Sequence, residues 1–397
     1  MEQVVGERET EQQVRGRIET EFDVTVLRDA SVQITKKLWN DIFPETPAHF
    51  WEDYYGQKMD KSAVFAVMDD EVQSMLHLTP YAAALRRNPM TLHTKRLPSM
   101  TDIARVETNL ISMAFTKEEY RNSGCMRRLM SGALEYQERM NIPVCFVYTD
   151  EGDFFKHFGF HYIYDRPQYV LNRDEISEKM LEKAAAGEPI PMNGKNIVLK
   201  AADNDSLLEL AHFVNANLCR RYGFFIIRSA AYYERFRKEV LGTGGDLFLL
   251  MENGQIKGYF AFAKGSVREA VFANPSDRER ILLESGDKKP AVMARIINLP
   301  EMLRHISGNK KTTIAVRLKD PVLAKNDGDF IWYLDETGSH MERVEQARCG
   351  ADASVRPEVS ATIGEFTAFI FEYITLKQNA KFDNIYLAGP AWMNERY

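Results

Sequence analysis

The stretch from Leu110 to Tyr148 limits the folds open to this chain more than any other. An apolar run, Leu110 to Phe115, reads as a strand. A short loop follows, Tyr120-Arg121-Asn122-Ser123-Gly124-Cys125. Met126, Leu129, Met130, Ala133 and Leu134 then recur at i, i+3, i+4, i+7 and i+8, which places them on one face of a helix. Pro143 interrupts, and Val144 to Tyr148 reads as a buried strand. Strand, helix and strand in so short a span call for a βαβ unit, and so for an α/β chain.

The flanking segments extend the pattern. Residues 1–21 read as a polar tail and Val24 to Leu27 as a strand, with helices over Ser31 to Asn40 and Phe50 to Tyr55. Ala63 to Met68 and Glu71 to Leu78 read as strands around an Asp69-Asp70 turn. Asp150 and Asp153 offer caps to a short helix before Gly159. The polar stretch Asn172 to Asn196 marks a boundary. Beyond it Ile197 to Lys200 is a strand, and Leu207 to Tyr222 and Tyr232 to Leu241 are helices. Asp246 to Met251 and Gln255 to Phe262 form a hairpin around Glu252-Asn253-Gly254. This block repeats the order of the first without a residue-level repeat. Charged Arg278 to Pro290 reads as a linker. Ala291 to Asn298 is a strand, and Leu299 to Ile306 a helix entered through Pro300. Thr312 to Leu318 and Asp329 to Leu334 are strands, and Ser360 to Tyr373 is a helix. The aromatic-rich last residues are expected to dock on the body of the protein.

Composition narrows the function classes. A chain of 397 residues with 45% apolar residues can support two or three packed domains. Its 51 Lys and Arg against 57 Asp and Glu lack the basic excess of a nucleic-acid binder. No apolar run approaches a membrane span, and the charged N-terminus has no leader-like core. The four cysteines stand apart, with no C-x-x-C pair, which points to a reducing compartment, the cytoplasm, and to no metal site. His157 and His161 fall in a loop and strand pattern rather than on one helix face. Gly242-Thr243-Gly244-Gly245 precedes a strand, which makes it a hairpin-side loop rather than a phosphate cradle.

The sharpest chemistry lies in the R-x-x-G loop at Arg121 to Gly124. A loop that opens a helix presents free backbone N–H groups at the positive end of the helix dipole, a setting that binds phosphate. Gly124 lets the backbone come close to an anion. The competing reading is an ordinary βα loop with solvated arginines. Asp150-Glu151 read as an N-cap plus a first-turn acid.

The segment resembles the cofactor loop of the GNAT acyltransferase superfamily, which holds the pyrophosphate of acetyl-CoA. Ile111-Ser112-Met113-Ala114-Phe115-Thr116 resembles the preceding strand, whose backbone pairs with pantetheine. Val144 to Thr149 resembles the strand that splays away to admit the thioester. Phe154-Phe155-Lys156-His157-Phe158-Gly159-Phe160 resembles the aromatic signature that follows. With Ser74 to Tyr81, Arg228-Ser229, Tyr232-Tyr233-Glu234 and Met393-Asn394-Glu395-Arg396-Tyr397, the pattern is similar to the enhanced-intracellular-survival type of that superfamily.

That resemblance implies tandem GNAT-like mixed-sheet domains followed by a sterol-carrier-protein-like α+β domain. The expected boundaries are 22–171 for the cofactor-binding domain, 172–290 for a second without the motif, and 291–397 for the last. It implies acetyl-CoA as co-substrate, bound by Ala114, Phe115, Thr116, Arg121, Asn122, Ser123, Gly124, Cys125, Met126 and Arg127, with Asp150 and Glu151 at its border. It implies a small-molecule or peptide amine as acceptor, favoured if cationic by the net charge of −6. No nucleic-acid or membrane partner is expected, and the resemblance implies a homo-oligomer, with a hexamer as one form. It also implies that the base is the C-terminal carboxylate, here Tyr397. The residue-level alternative is a terminus anchored by its ring alone. One position departs from the pattern. The general-acid tyrosine is replaced by Phe155, which has no proton to give. Water, Tyr148 or His157 then serves as acid, or the protein binds acyl-CoA or a lipid with weak or no turnover. Met126 stands where most such loops have Gly or Ala. The aromatics of the last domain either hold a lipid or fill the core.

Overall fold

The computed structural model describes strands 19–21 and 24–27 by their backbone, and residues 36–37, 39–40, 62–68, 72–86, 99–192, 196–344, 356–376 and 381–395. The readings placed on residues 1–18, 28–35, 38, 41–61 and 69–71, and on Arg396 and Tyr397, lie outside the described residues, while residues 19–21, read as the end of a polar tail, form a strand.

The chain opens with β1 (Glu19–Glu21), β2 (Val24–Leu27), β3 (Ala63–Met68), β4 (Val72–Arg86) and β5 (Ile103–Thr116). Helix α1 (Cys125–Arg139) leads to β6 (Val144–Tyr148), α2 (Gly152–Lys156), β7 (His161–Arg166) and β8 (Tyr169–Leu171). The expected crossover forms. β5 and β6 pair in parallel from Thr108↔Val144 to Ile111↔Val147. The apolar stripe of α1 packs Leu129, Met130, Ala133 and Leu134 onto Phe65, Leu78, Ile111 and Val147 of the sheet. β4 and β5 are far longer than their apolar cores, because each pairs with the other from Ser74↔Thr116 to Arg86↔Ile103.

Next come α3 (Glu178–Ala185), β9 (Ile190–Pro191), β10 (Ile197–Ala201), α4 (Leu207–Arg221), β11 (Phe224–Ile226), α5 (Ala230–Gly242), β12 (Asp246–Glu252), β13 (Gln255–Ala263) and β14 (Ser266–Phe272). The hairpin of β12 and β13 forms as read. The polar stretch 172–196 carries a helix, α3, capped by Ser177 and anchored through buried Leu181 and Ala184. The chain continues with α6 (Pro275–Ile281), β15 (Leu282–Glu284) and β16 (Lys289–Ile296). The linker expected at Arg278 to Pro290 is therefore corrected. Its charges sit on exposed faces, with Arg278 paired to Glu279 and Glu284, while Ile281 and Leu282 are buried.

The last part holds α7 (Leu299–Leu303), β17 (Ser307–Gly308), β18 (Thr312–Lys319), β19 (Gly328–Asp335), β20 (Gly338–Arg343), β21 (Val359–Thr362), α8 (Ile363–Ile370), β22 (Ile385–Tyr386) and β23 (Ala391–Trp392). The helix expected from Ser360 starts later. Residues 359–362 pair in parallel with β18, and Thr362 then caps α8 in a reciprocal box with Glu365.

Among the described residues three larger sheets form, beside two two-stranded ones, β15-β8 and β17-β22. The first has the order β1-β2-β3-β4-β5-β6-β16-β7, with β11 on the free edge of β4 and β23 on β11. The second is β14-β13-β12-β10-β9 and the third β20-β19-β18-β21. The first sheet is thus completed by segments distant in sequence. One large apolar cluster runs from β4 and β6 through α4, α5 and β12 to α8, β18 and β19. Among the described residues no helix is long and apolar enough to cross a membrane.

A candidate active site between two splayed strands

The parallel pairing of β5 and β6 stops at Ile111↔Val147. Past that point β5 stays with β4, while β6 follows β16, pairing Tyr148 with Val292. The two strands separate and leave a wedge. A bulge on β5 adjoins it. Met75 faces Phe115 and His77 faces Ser112, so Met113 and Ala114 together oppose Leu76. Met113 takes φ 52°, a conformation that non-glycine residues rarely adopt and that collects at functional sites. The bulge re-aims the backbone of residues 113–116.

The anion-binding half of the site comes from the start of α1. Gly124 sits at the N-cap with φ 86° and brings no side-chain cap. The first backbone bond of the helix is Arg128 N–H to Gly124 C=O, so the N–H groups of Cys125, Met126 and Arg127 have no acceptor within the helix. Asn122 is also left-handed, at φ 63°, and the Ser123 hydroxyl donates to the Tyr120 carbonyl at 2.5 Å, which fixes the loop. Arg121 and Arg127 are exposed beside it.

The β5 side of the wedge and the start of α1 border one cleft of about 1360 Å³. Ala114, Phe115, Thr116, Arg121, Asn122, Ser123, Gly124, Cys125, Met126, Arg127, Glu151 and Phe155 all line it. Asp150 is exposed and is not part of the lining, and Tyr397 lies outside the described residues. The capping roles read for Asp150 and Asp153, and the first-turn place read for Glu151, are corrected. Glu151 occupies the N-cap of α2 without a side-chain bond, its own N–H being held by the Thr149 hydroxyl at 2.9 Å. Asp153 instead meets Lys156 at 2.8 Å, and that hydrogen bond lowers its pKa.

Phe155 is buried against Phe154 and Phe160, with ring centroids 5.0 and 5.8 Å away. Of the two substitute proton donors, His157 lines the cleft and Tyr148 does not. The Nδ1 of His157 lies 2.8 Å from the Asp153 carbonyl, so that nitrogen carries a hydrogen and donates. On the sheet beneath the wedge, burial lowers the pKa of His77 to about 3, and it is neutral at physiological pH.

Three lining residues escaped the sequence reading: Ser131 on α1, and Pro321 and Val322. Pro321 and Val322 belong to a turn after β18 in which the Asp320 carboxylate accepts the N–H groups of Val322 and Leu323, both at 2.9 Å. Asp320 also pairs with Arg295, a fully buried cation on β16 that donates to the Phe158 carbonyl after α2. The Asp-Pro turn is legible locally, but its place on the cleft is set by that buried pair. Among the described residues no cluster of His, Cys, Asp and Glu could hold a metal ion.

No protein-family description matches this sequence, and no curated protein does. Solved structures do resemble it. A probable N-acyltransferase from Enterococcus faecalis matches with TM-score 0.66 at 13% identity, over 90% of this chain and 94% of its own. A GCN5-related N-acetyltransferase from Anabaena variabilis gives TM-score 0.66 at 14%, over 93% and 98%. Eis1 from Mycobacterium abscessus gives 0.61 at 10%, over 95% and 100%. The chain therefore has the mixed α/β architecture of GCN5-related N-acetyltransferases, shared along nearly its whole length. Among those neighbours is a protein of the survival type that the motifs resemble.

Proposed function

We propose that this chain is an acetyl-CoA-dependent N-acetyltransferase that passes the acetyl group directly to an amine. One observation carries the reading: the end of β5, where it has parted from β6, and the uncapped start of α1 line the same cleft. The first supplies a slot between strands for a thioester arm, the second a cradle for its pyrophosphate.

The N–H groups of Cys125 to Arg127, with the Arg121 and Arg127 guanidiniums, neutralise the diphosphate. The re-aimed backbone of Ala114 to Thr116 meets the amides of the pantetheine arm. Orientation is the main contribution, since holding amine and thioester together removes most of the entropic cost of their encounter. A C–N bond forms and a C–S bond breaks. The amine proton goes to the carboxylate of Tyr397, ionised at neutral pH. The departing thiolate takes a proton from water, or from Nε2 of His157 when that ring is the imidazolium, because Phe155 has none. The region 291–397, read as sterol-carrier-like, carries the last residues to the site. The net charge of −6 favours a cationic acceptor.

Calorimetry with acetyl-CoA, followed by thiol release across a panel of amines, tests this. Saturable binding and amine-dependent thiol release are expected. Binding without release on any amine removes the transferase reading, and absence of binding removes the cleft assignment as well.

A further inference from the structure

A second cavity, of about 400 Å³, lies where the edge strands of the first two sheets meet. β7 ends the first sheet and β14 ends the second. Both line the cavity, together with the last turn of α4, the start of α6 and β23. Its size is that of a small-molecule site, and it shares no lining residue with the cleft at the start of α1. The floor is aromatic. Tyr164 on β7 is 8% exposed and Trp392 on β23 is 6% exposed, while the rings of Tyr169 and Tyr222 stand nearer the solvent. Among the described residues nothing hydrogen-bonds the Tyr164 hydroxyl. Burial raises its pKa well above the ordinary value, so it keeps its proton and can only gain by donating it to an acceptor. A hydroxyl this deep is unfavourable unless something else supplies that acceptor.

The rim is cationic. Five cations and three carboxylates line the cavity, and the carboxylates are already engaged. Asp165 accepts the Tyr373 hydroxyl at 2.5 Å, Glu284 meets Arg278 at 2.6 Å, and Glu269 meets Arg228, outside the lining, at 3.2 Å. Arg268 pairs with Glu239 at 2.8 Å. Among the described residues the other cations, Arg166, Arg221 and Lys288, meet no carboxylate. Arg166 and Arg221 donate to the carbonyls of Val267 and Phe272 on β14, at 3.0 and 2.5 Å, which fixes their direction and leaves their charge uncompensated. Arg278 adds a buried Nε–H without an acceptor, and its guanidinium lies 5.9 Å from the centre of the Tyr169 ring. Arg221 and Lys288 are exposed at the mouth, with Tyr164 and Glu269 on the buried side.

We propose that this cavity is a second ligand site, for a small aromatic acid whose carboxylate or phosphate sits between Arg221 and Lys288 and whose far end accepts the Tyr164 hydroxyl. A flat ring suits the aromatic walls, and charge-assisted hydrogen bonds hold the anion at the mouth. The Glu269 carboxylate on the buried side repels the reverse orientation. Such a ligand touches both sheet edges, so it binds the folded chain alone and stabilises it.

The test is calorimetry and thermal unfolding of the full-length protein with three probes: 4-hydroxycinnamate, 4-hydroxyphenyl phosphate and the uncharged 4-hydroxycinnamamide. At least one anion is expected to bind with Kd below about 1 mM and to raise Tm by about 2 °C or more. The better anion assigns carboxylate or phosphate. The amide is expected to bind about tenfold more weakly. Tyr164→Phe is expected to weaken the anion about three- to tenfold. Lys288→Gln and Arg221→Gln are expected to weaken it about threefold each, less at high salt. Tyr164→Phe keeps its ring and Lys288 is exposed, so both remain readable if Arg221→Gln, which gives up the brace on β14, fails to fold. Saturating acetyl-CoA is expected to leave the anion's affinity within about twofold, because the two cavities share no residue. No saturable binding of either anion up to about 10 mM overturns the site. So does an amide that binds as tightly as the acids, or an affinity that Tyr164→Phe and Lys288→Gln leave unchanged. Competition with acetyl-CoA would move the ligand to the other cleft and overturn the assignment as well.

Discussion

The first and second sheets follow the same order of helix, hairpin and strand, yet one makes a site and the other makes a core. In the first, β5 and β6 are parallel, so a helix must cross between them, and its start delivers free N–H groups to the point where the strands part. In the second, every described pairing is antiparallel. β12 turns into β13 through Asn253-Gly254, and Phe248 stacks on Phe260 with ring centroids 5.3 Å apart. A hairpin joins its strands without a helix, and its ladder has no reason to open. The glycines of Gly242 to Gly245 show the same contrast. Gly244 has φ 79°, close to the 86° of Gly124, but it follows the C-terminal end of α5 and leads into β12, so its N–H is taken by the Leu241 carbonyl and the negative end of the helix dipole faces it.

Four sets of variants sharpen this contrast, in falling order of expected effect. Removing Tyr397 is expected to lower kcat by about 10²- to 10⁴-fold, the usual weight of a general base, with acetyl-CoA affinity retained. Steady-state kinetics beside calorimetry reads both. Next, Gly124→Val and Gly244→Val form a matched pair. A Cβ at either position meets no atom within 4 Å, so both changes act through backbone strain alone, about 1–2 kcal/mol in thermal unfolding. Only Gly124→Val is expected to weaken acetyl-CoA binding, by tenfold or more. Equal loss from both would mean that the two loops do not differ as described.

Arg121→Ala and Arg127→Ala come third. Each is expected to weaken acetyl-CoA binding about three- to tenfold, with the loss shrinking at high salt because both side chains are exposed. A titration at two ionic strengths checks it. The smallest change is Phe155→Tyr. A hydroxyl at that place on the cleft is expected to raise kcat a few-fold if thiolate protonation limits the rate. An unchanged kcat would leave the proton transfer to His157 or water.

What the sequence revealed follows the range of the interactions. The crossover, the loop at Arg121 to Gly124 and the hairpin of β12 and β13 are local, and their periodicity or turn residues sit within a few positions of one another. All but one of the lining residues expected on β5, the loop, α1 and α2 were found in one cleft, the exception being Asp150. The failures are non-local. Arg278 to Pro290 looked like a linker because its charges outnumber the two buried residues that anchor it. Val359 to Thr362 was absorbed into a helix because its strand partner, β18, is distant, although the Thr362 and Glu365 box marked the true start. Pro321 and Val322 reach the cleft only through the Arg295 and Asp320 pair.

The place of β16 has a consequence for how the protein comes into being. It lies between β6 and β7, so Tyr148 and Tyr164 each meet Val292 rather than one another. A ribosome that has released the first half of this chain has made both walls of the gap and not the strand that fills it. Until residue 296 emerges, two apolar edges stand open to other nascent chains. Contacts this far apart slow folding, and they forbid the simplest shortcut in engineering. A fragment cut after β8 would carry every residue of the loop from Arg121 to Gly124 and still lack the strand that pairs with the far edge of β6.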